Sequence, residues 1–144
     1  MRQIKFRVFI KWLKIILEVE SIDFIKKRVY CKTELGKPNP CDFYSLDDIE
    51  LMEHIGLEDK NNIEIYEGDV VKDSSGRLMI IEWDNRLGTA RFILKTINRI
   101  SHIQAGRYLD IHQWVTSDEN DLEIIGNIYQ NQEIIDIVEK HYFN

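Results

Sequence analysis

Three carboxylates crowd one short stretch in the middle of the chain. Glu64, Glu67 and Asp69 flank Ile65, Tyr66 and Gly68. Two or three carboxylates can hold a magnesium ion for phosphoryl chemistry, so one hypothesis is a metal-assisted hydrolase. Such sites normally draw ligands from several elements, and the sequence offers no second acidic cluster or general base. In the competing interpretation Glu67 and Asp69 bond turn amides and fix a bend. Asp69→Ala would then lower stability, and magnesium would leave the melting temperature unchanged.

The cysteines and histidines do not form a recognisable ligand set. Nine residues separate Cys31 from Cys41, and there is no second pair, which excludes zinc-ribbon and CxxC redox patterns. The four histidines show no HxH, HxxxH or HExxH spacing; they are His54, His102, His112 and His141. We therefore expect two reduced thiols, no metal site and no cofactor.

A second set of side chains combines aromatic rings with basic groups. Small barrels bind nucleic-acid strands with such side chains, and Arg91 and Lys95 would alternate onto one strand face. The competing interpretation, a solvated polar face on an ordinary sheet, is the favoured one, and a pI near 5.2 argues against a general nucleic-acid binder. Loss of binding on changing Arg91 and Lys95 to Glu would support the hypothesis, and unaltered behaviour would remove it. The candidates are Trp83, Arg86, Arg91, Phe92, Lys95 and Arg99.

Charge is unevenly distributed along the chain. Residues 1–33 carry nine basic and three acidic residues (+6), residues 34–72 three and eleven (−8), and residues 73–144 seven and eleven (−4). A basic end and an acidic middle attract one another, within a subunit or between copies. We therefore expect a homo-oligomer, and a phosphate partner for the basic end is the less favoured alternative.

The composition is that of one ordinary globular domain. The chain has 144 residues, 44% of them hydrophobic and 31% charged. Its longest apolar stretch, Trp12 to Leu17, is interrupted by Lys14 and is far shorter than a membrane span. The N-terminus also lacks the long uncharged core of a signal peptide. We expect a cytoplasmic protein with no membrane partner.

Strand-like alternation dominates the first part of the chain. Residues 4–10 alternate with period two, and residues 11–17 are assigned to a strand because residues 18–24 continue the pattern. Lys26-Lys27 predicts a tight reversal, after which residues 28–31 return as the partner strand. Residues 36–40 contain both prolines and predict a loop at the border of an N-terminal unit. Ser45 could cap a short helical turn, and residues 49–55 predict a strand ending at Gly56.

Turn residues organise the remainder. Residues 60–62 predict a reversal, and the segment around Gly68 predicts a kink that enters a new strand. Tyr66 is expected to lie across the edge of the barrel or sheet next to this kink. Hairpin turns at 73–76 and 84–88 separate strands at 70–72, 78–83 and 89–94, with further strands at 108–114 and 122–125. Asn131 is a credible N-cap of a terminal helix. The residues expected to shape the central bend are Gly56, Asn61, Asn62, Tyr66, Gly68 and Asp69.

These elements predict a mainly β protein. Within one domain we expect an N-terminal β-hairpin unit (1–35), a small SH3-like β-barrel or curled sheet (45–130, with its strands at about 49–125) and a C-terminal α-helix (131–144).

Four stretches together resemble the YopX family of phage and prophage proteins. They are residues 1–7 (Met-Arg-Gln-Ile-Lys-Phe-Arg), residues 51–71 from Leu-Met to Val-Val, residues 81–84 (Ile-Glu-Trp-Asp) and residues 123–131 (Glu-Ile-Ile-Gly-Asn-Ile-Tyr-Gln-Asn). The resemblance spans almost the whole chain. It implies a mainly β protein of a bacteriophage or prophage, in a family without an established biochemical activity, and it carries over no catalytic or binding residues.

The chain departs from the family pattern at two places. Residues 8–12 are strongly apolar where the family has an Ala-Trp-Asp-like turn, so the first hairpin is expected to differ in shape or to pack on a partner. The central turn has Asn61-Asn62 in place of Asn-Gly. Asn also adopts the left-handed region, so we expect the turn to survive.

The leading functional hypothesis is a non-enzymatic interaction module that self-associates and acts on a host or phage protein. Besides the resemblance and the charge asymmetry, it draws on Trp12 and its apolar neighbours, which could form an exposed patch. The competing interpretation is that most of these residues are core.

Overall fold

The computed structural model describes residues 3–32, 38–85, 90–97, 108–111, 120–134, 136 and 140, with backbone alone for residues 38–42. Its contacts divide the chain into two compact units, Met1–His54 and Ile55–Asn144. The predicted border of the N-terminal unit was the loop at residues 36–40, whereas the division by contacts falls between His54 and Ile55, inside one strand.

The first unit is an antiparallel sheet. Its strands are β1 (Phe6–Ile10), β2 (Ile15–Asp23), β3 (Arg28–Lys32), β4 (Pro38–Ser45) and the first part of β5 (Ile49–Glu58), in the order β4-β3-β2-β1-β5. The predicted reversal at Lys26-Lys27 is confirmed, since β2 pairs with β3 up to Asp23 and Arg28. The predicted cap is also confirmed: Ser45 Oγ accepts the Asp47 amide at 3.3 Å ahead of a 3₁₀ turn, Leu46–Asp48.

Two predictions in this unit are wrong. Residues 11–14 form a turn rather than a strand, because β1 must reverse before Leu17 can pair with Val8. Lys14 closes the turn with φ 55°, and its amide donates to the Ile10 carbonyl at 2.7 Å. Residues 38–40, predicted as loop, begin β4. Proline is tolerated there because β4 stands last in the sheet order, with β3 as its one neighbour among the described strands.

The core of the first unit lies on one face of this sheet. Buried Val8, Ile10, Val29, Cys31 and Ile49 form it. The register breaks in β2 between Val19 and Ser21 and in β3 between Tyr30 and Lys32, and such irregularities bend strands. The ring of Trp12, in the β1–β2 turn, lies 6.5 Å from that of Tyr44 on β4, so the sheet curls around its apolar face.

The second unit contains the end of β5 with β6 (Glu64–Tyr66), followed by a five-stranded antiparallel sheet. The strands are β7 (Asp69–Lys72), β8 (Leu78–Asp84), β9 (Arg91–Thr96), β10 (Tyr108–Asp110) and β11 (Glu123–Asn127), in the order β10-β9-β8-β7-β11. Residues 132–134, 136 and 140 are helical. The mainly β prediction is confirmed, and the described strands form a curled sheet rather than a closed barrel.

Both faces of the five-stranded sheet carry core residues. Val71 and Met79 are cross-strand partners on one face, within a cluster that includes Ile65 and Leu122. Val70 and Ile80 are partners on the other face, where Ile97 and Ile134 join them. Ile134 belongs to the helical segment, and its side chain packs on this face of the sheet. In the described residues no helix is long and apolar enough to cross a membrane.

Candidate functional site

The bend at Gly68 is held by hydrogen bonds to backbone groups. Asp69 is 1% exposed, and its Oδ2 accepts the Tyr66 amide at 2.8 Å. Gly68 has φ 85°, its amide donates to the Ile81 carbonyl at 2.9 Å, and its carbonyl accepts the Ile128 amide at 3.0 Å. The predicted kink is confirmed, and a glycine is required there because other residues rarely adopt this φ.

The other two carboxylates of the predicted group do not gather around Asp69 as a ligand set. Glu64 Oε2 accepts the Tyr66 hydroxyl at 3.1 Å, and Glu67 is half-buried. Within the described parts of the chain, no three His, Cys, Asp or Glu side chains lie close enough together to hold a metal ion. The geometry therefore lends no support to the hydrolase hypothesis.

Asp59, which the sequence patterns did not single out, is a buried carboxylate that accepts three backbone amides. It is 3% exposed. Its Oδ1 accepts the amides of Asn61 at 2.8 Å and Ile63 at 3.0 Å, and its Oδ2 accepts the Ile124 amide at 3.0 Å. One side chain thus shapes the 60–62 turn and fastens it to β11. The sequence signal that could have revealed it is an Asp two residues before Asn61, a common arrangement in turns bonded by an Asp side chain.

The three amides also set the charge state of Asp59. Burial alone would raise its pKa, but the amides of Ile124, Ile63 and Asn61, together with Lys60, hold the pKa below its ordinary value of 3.8. Asp59 is therefore ionised at neutral pH and is a poor proton acceptor.

Further contacts fasten the same turn. The Lys60 amide donates to the Leu122 carbonyl at 2.8 Å, and Lys60 Nζ lies 2.8 Å from Glu123 Oε2, which raises the pKa of Lys60. Asn62 has φ 61° and its amide donates to the Asp59 carbonyl at 3.0 Å. The prediction that the turn survives with Asn in place of Gly is confirmed.

Two other aspartates bond nearby amides and hydroxyls in the β7–β8 turn. Asp73 Oδ1 accepts the Ser75 hydroxyl at 2.6 Å and the amides of Ser75 and Arg77 at 3.0 and 2.9 Å. Asp121 Oδ2 accepts the Ser74 hydroxyl at 2.6 Å and its amide at 3.0 Å. Burial would raise the pKa of Asp121, but these bonds outweigh it and lower the pKa. Both side chains secure a hairpin turn.

A third group of hydrogen bonds lies at the end of β11. Asn127 Oδ1 accepts the amides of Tyr129 and Gln130, both at 3.0 Å, and the Asn127 amide donates to Asn131 Oδ1 at 3.0 Å. Asn131 precedes the helical residues as predicted, but this bond of its side chain runs back to Asn127. A Cβ on Gly126 would lie 2.5 Å from Asn131 Oδ1, so Gly126 leaves room for the bond.

The structure separates the aromatic and basic members of the predicted nucleic-acid face. Trp83 and Phe92 are cross-strand partners in edge contact, with ring centroids 4.9 Å apart, and Trp83 is 44% exposed. Arg91 and Lys95 share a face with each other, as predicted, but strand alternation places them on the face opposite Trp83. Arg86 and Arg99 lie outside the described residues.

Each basic side chain of this face lies beside an acid. Arg91 Nη1 is 3.7 Å from Asp110 Oδ2, and Lys95 Nζ is 3.5 Å from Glu82 Oε1. Lys95 Nζ also lies 5.8 Å from the centre of the Tyr108 ring. These neighbours offset the positive charge that a phosphate backbone would require.

Exposed apolar side chains are concentrated in the first unit. Among the described residues, eight of the twelve large apolar side chains that are exposed belong to it. The apolar opening segment is divided between core and surface: Ile10 is buried, whereas Trp12 is 67% exposed. The eight are Ile4, Trp12, Leu13, Ile15, Phe24, Ile25, Phe43 and Leu51.

The most exposed of them sits in the β2–β3 turn. Ile25 is 95% exposed and Phe24, beside it, 75%. Asp23 Oδ1 accepts the amides of Ile25 at 3.0 Å and Lys26 at 2.9 Å, so the turn backbone is held in place. Lys27 has φ 52° and its carbonyl accepts the Leu46 amide at 3.0 Å, which anchors the end of the turn.

Comparison with known proteins identifies the fold and the family. Residues 5–136 match the family model described as YopX protein. The crystal structure of protein EF1440 from Enterococcus faecalis is similar over 94% of this chain and 99% of that one, with 20% sequence identity and a TM-score of 0.59. At this identity the likeness shows the fold alone. No curated protein matches the chain.

Proposed function

The chain belongs to the YopX family, and we propose that it is a phage- or prophage-encoded interaction module that self-associates and catalyses no reaction. The observation that carries this proposal is the set of exposed apolar side chains in the first unit. Phe24 and Ile25 are the most exposed, at 75% and 95%, in a turn whose Ile25 and Lys26 amides donate to Asp23. Adjacent, strongly exposed apolar side chains such as Phe24 and Ile25 favour binding to other proteins. The phage origin rests on the family resemblance, and the bacterial cytoplasm is the compartment that follows from such an origin.

The charge balance favours contact between copies. Residues 1–54 carry ten basic and nine acidic residues, a net charge of +1, whereas residues 55–144 carry nine and sixteen, a net charge of −7. Identical copies therefore present surfaces of different charge to one another, and such complementarity steers and orients association. A host or phage protein would be bound by the assembled form.

The bonding of the aspartates supports a role without catalysis. Asp59, Asp69, Asp73 and Asp121 accept backbone amides in turns. For Asp59 and Asp121 these bonds lower the pKa, so these two carboxylates are weak general bases. Their shared task is to hold turns together.

Sedimentation velocity over a hundredfold dilution series tests the proposal. We expect species heavier than the 17.2 kDa chain, dissociating on dilution. A mass of one chain at every concentration would refute self-association. A constant heavier mass would support it and indicate an obligate assembly.

A nucleic-acid module is the second candidate, and the exposure of Trp83 is the observation in its favour. Single-stranded DNA stacking on this ring would quench its fluorescence, and the quenching would weaken with salt. The matched variant changes Arg91 and Lys95 to Glu. Because these cations already lie beside acids and on the opposite face, we expect neither quenching nor an effect of the variant; salt-sensitive quenching that the variant abolishes would establish this second function.

A further inference from the structure

The turn Phe24–Lys27 has the features of a docking element, and we call it the tip. It joins β2 and β3, whose last cross-strand pair is Asp23 with Arg28. Its two apolar side chains, Phe24 and Ile25, are exposed, and two lysines follow them. The tip thus presents a small apolar surface directly beside positive charge.

The tip is ordered before any partner arrives. The Asp23 carboxylate holds the amides of Ile25 and Lys26, and the Lys27 carbonyl accepts the Leu46 amide. Beside the tip, the Arg28 guanidinium lies 4.4 Å from the centre of the Phe43 ring. A surface that is already ordered loses less conformational entropy on binding, which favours its use as an interface.

We infer that the tip docks on the acidic second unit, residues 55–144, of another copy of this chain. This inference rests on the proposed self-association and names the element responsible for it. Lys26 Nζ lies 4.0 Å from Asp23 Oδ2, but residues 23–28 still carry three cations against one acid, a net charge of +2. Residues 55–144 have a net charge of −7, so charge complementarity selects this region. Contact between two tips would place like charges together and is disfavoured for the same reason.

The same charges favour a second copy over a lipid surface. An anionic bilayer would attract the tip but would repel a chain whose net charge is −6. Two copies can instead exchange tips around a twofold axis, which gives two equivalent contacts and a closed assembly.

The first test removes the apolar side chains of the tip in the whole chain. Phe24→Ser with Ile25→Ser should raise the dissociation constant of the oligomer at least tenfold. At dilutions where both proteins are single chains, it should leave the melting temperature unchanged, because both side chains are exposed. The control is Ile4→Ser, which removes a side chain that is 72% exposed in the first unit, outside the tip, and should change the constant less than twofold. An oligomer unaffected by the double variant would overturn the inference while leaving self-association intact.

The second test changes the charge. Lys26→Glu with Lys27→Glu should also raise the dissociation constant at least tenfold, and added salt should weaken the native oligomer but not the variant. Lys14→Glu, a change of an exposed lysine in the β1–β2 turn outside the tip, is the control and should have less than a twofold effect. If the double variant and the control raised the dissociation constant equally, the net charge of the chain rather than the tip would control association.

The third test locates the contact. Benzoylphenylalanine at position 24, in a mixture of nitrogen-15 and unlabelled copies, should crosslink between copies to residues 55–144. Crosslinks to residues 24–27 of the other copy would show contact between tips and overturn the inference. So would wild-type protein that binds phosphatidylglycerol vesicles through the tip while its oligomer tolerates the tip variants. A wild-type chain that is monomeric throughout would instead refute the proposed function itself.

Discussion

Asp59 and Ile124 are 65 positions apart in the chain, yet the Asp59 carboxylate accepts the Ile124 amide at 3.0 Å. The same carboxylate holds the amides of Asn61 and Ile63 within its own turn. This side chain therefore links a local reversal to the strand that closes the second unit. Because it is buried, water cannot readily replace these bonds if the carboxylate is lost.

Replacing Asp59 with Asn should destabilise the protein. The amide side chain keeps one oxygen but loses the charge and turns an NH₂ group toward backbone donors, so we expect the free energy of unfolding to fall by about 2–3 kcal/mol. Urea denaturation measures this loss. Asp47→Asn, an exposed aspartate in the 3₁₀ turn, is the control and should change stability by less than about 0.5 kcal/mol. Equal effects at the two positions would contradict the account.

Low pH should lower the free energy of unfolding through protonation of Asp59. The pKa of Asp59 lies below its ordinary 3.8 in the folded chain, and Asp121 is shifted in the same direction. Their stabilisation is complete well above 3.8 and is lost as the pH falls through the folded pKa values, because the unfolded chain binds protons first. Urea midpoints measured from neutral to strongly acidic pH should show this decline. In Asp59→Asn the urea midpoint should fall less steeply with decreasing pH. An unchanged slope would argue against the lowered pKa of Asp59.

Backbone conformation predicts opposite effects at Gly56 and Asn62, whose φ values are 87° and 61°. No atom lies within 4 Å of a Cβ placed on Gly56, so Gly56→Ala should cost about 1–2 kcal/mol through backbone strain alone. Asn62→Gly relieves strain and should raise stability by about 0.5 kcal/mol. Thermal and urea unfolding of the two variants measure both effects. Changes of the same sign would contradict this explanation.

Gly126 and Asn131 should behave as a coupled pair. Gly126→Ala forces the Asn131 side chain away and breaks its bond to the Asn127 amide, at a cost of about 1–2 kcal/mol. In an Asn131→Ala background the same change should cost much less, since the clashing atoms are gone. A double-mutant cycle by urea denaturation gives the coupling energy. Additive costs would show that Asn131 is not the obstacle.

The sequence predicted most of the fold because alternation and turn residues act locally. The reversals at residues 60–62 and 73–76 and the kink at Gly68 follow from residues that adopt unusual backbone conformations cheaply. Residues 11–14 were assigned to a strand because residues 18–24 continue the period-two pattern, which gives no sign of the reversal that pairs Ile10 with Ile15. The structure shows that Trp12 is mostly exposed.

The candidate sites depended on contacts that sequence distance conceals. Glu64, Glu67 and Asp69 suggested ligands because they are close in the chain, whereas the bonds of Asp59 and Asp121 join distant segments. Trp83 and Arg91 were grouped by proximity, and only the cross-strand register shows that they face opposite sides of the sheet. Phe24 was the last residue of the predicted strand pattern at 18–24, and the hairpin register places it in the turn with Ile25 instead.

Native mass spectrometry of gently purified protein is the decisive test of self-association, since it reports subunit number and bound mass together. We expect an oligomer without added mass, at whole multiples of 17.2 kDa, that dissociates to single chains in the Phe24→Ser, Ile25→Ser variant. Single wild-type chains carrying nucleotide or metal mass would contradict it and redirect attention to Trp83, Arg91 and Lys95 or to Glu67 and Asp69.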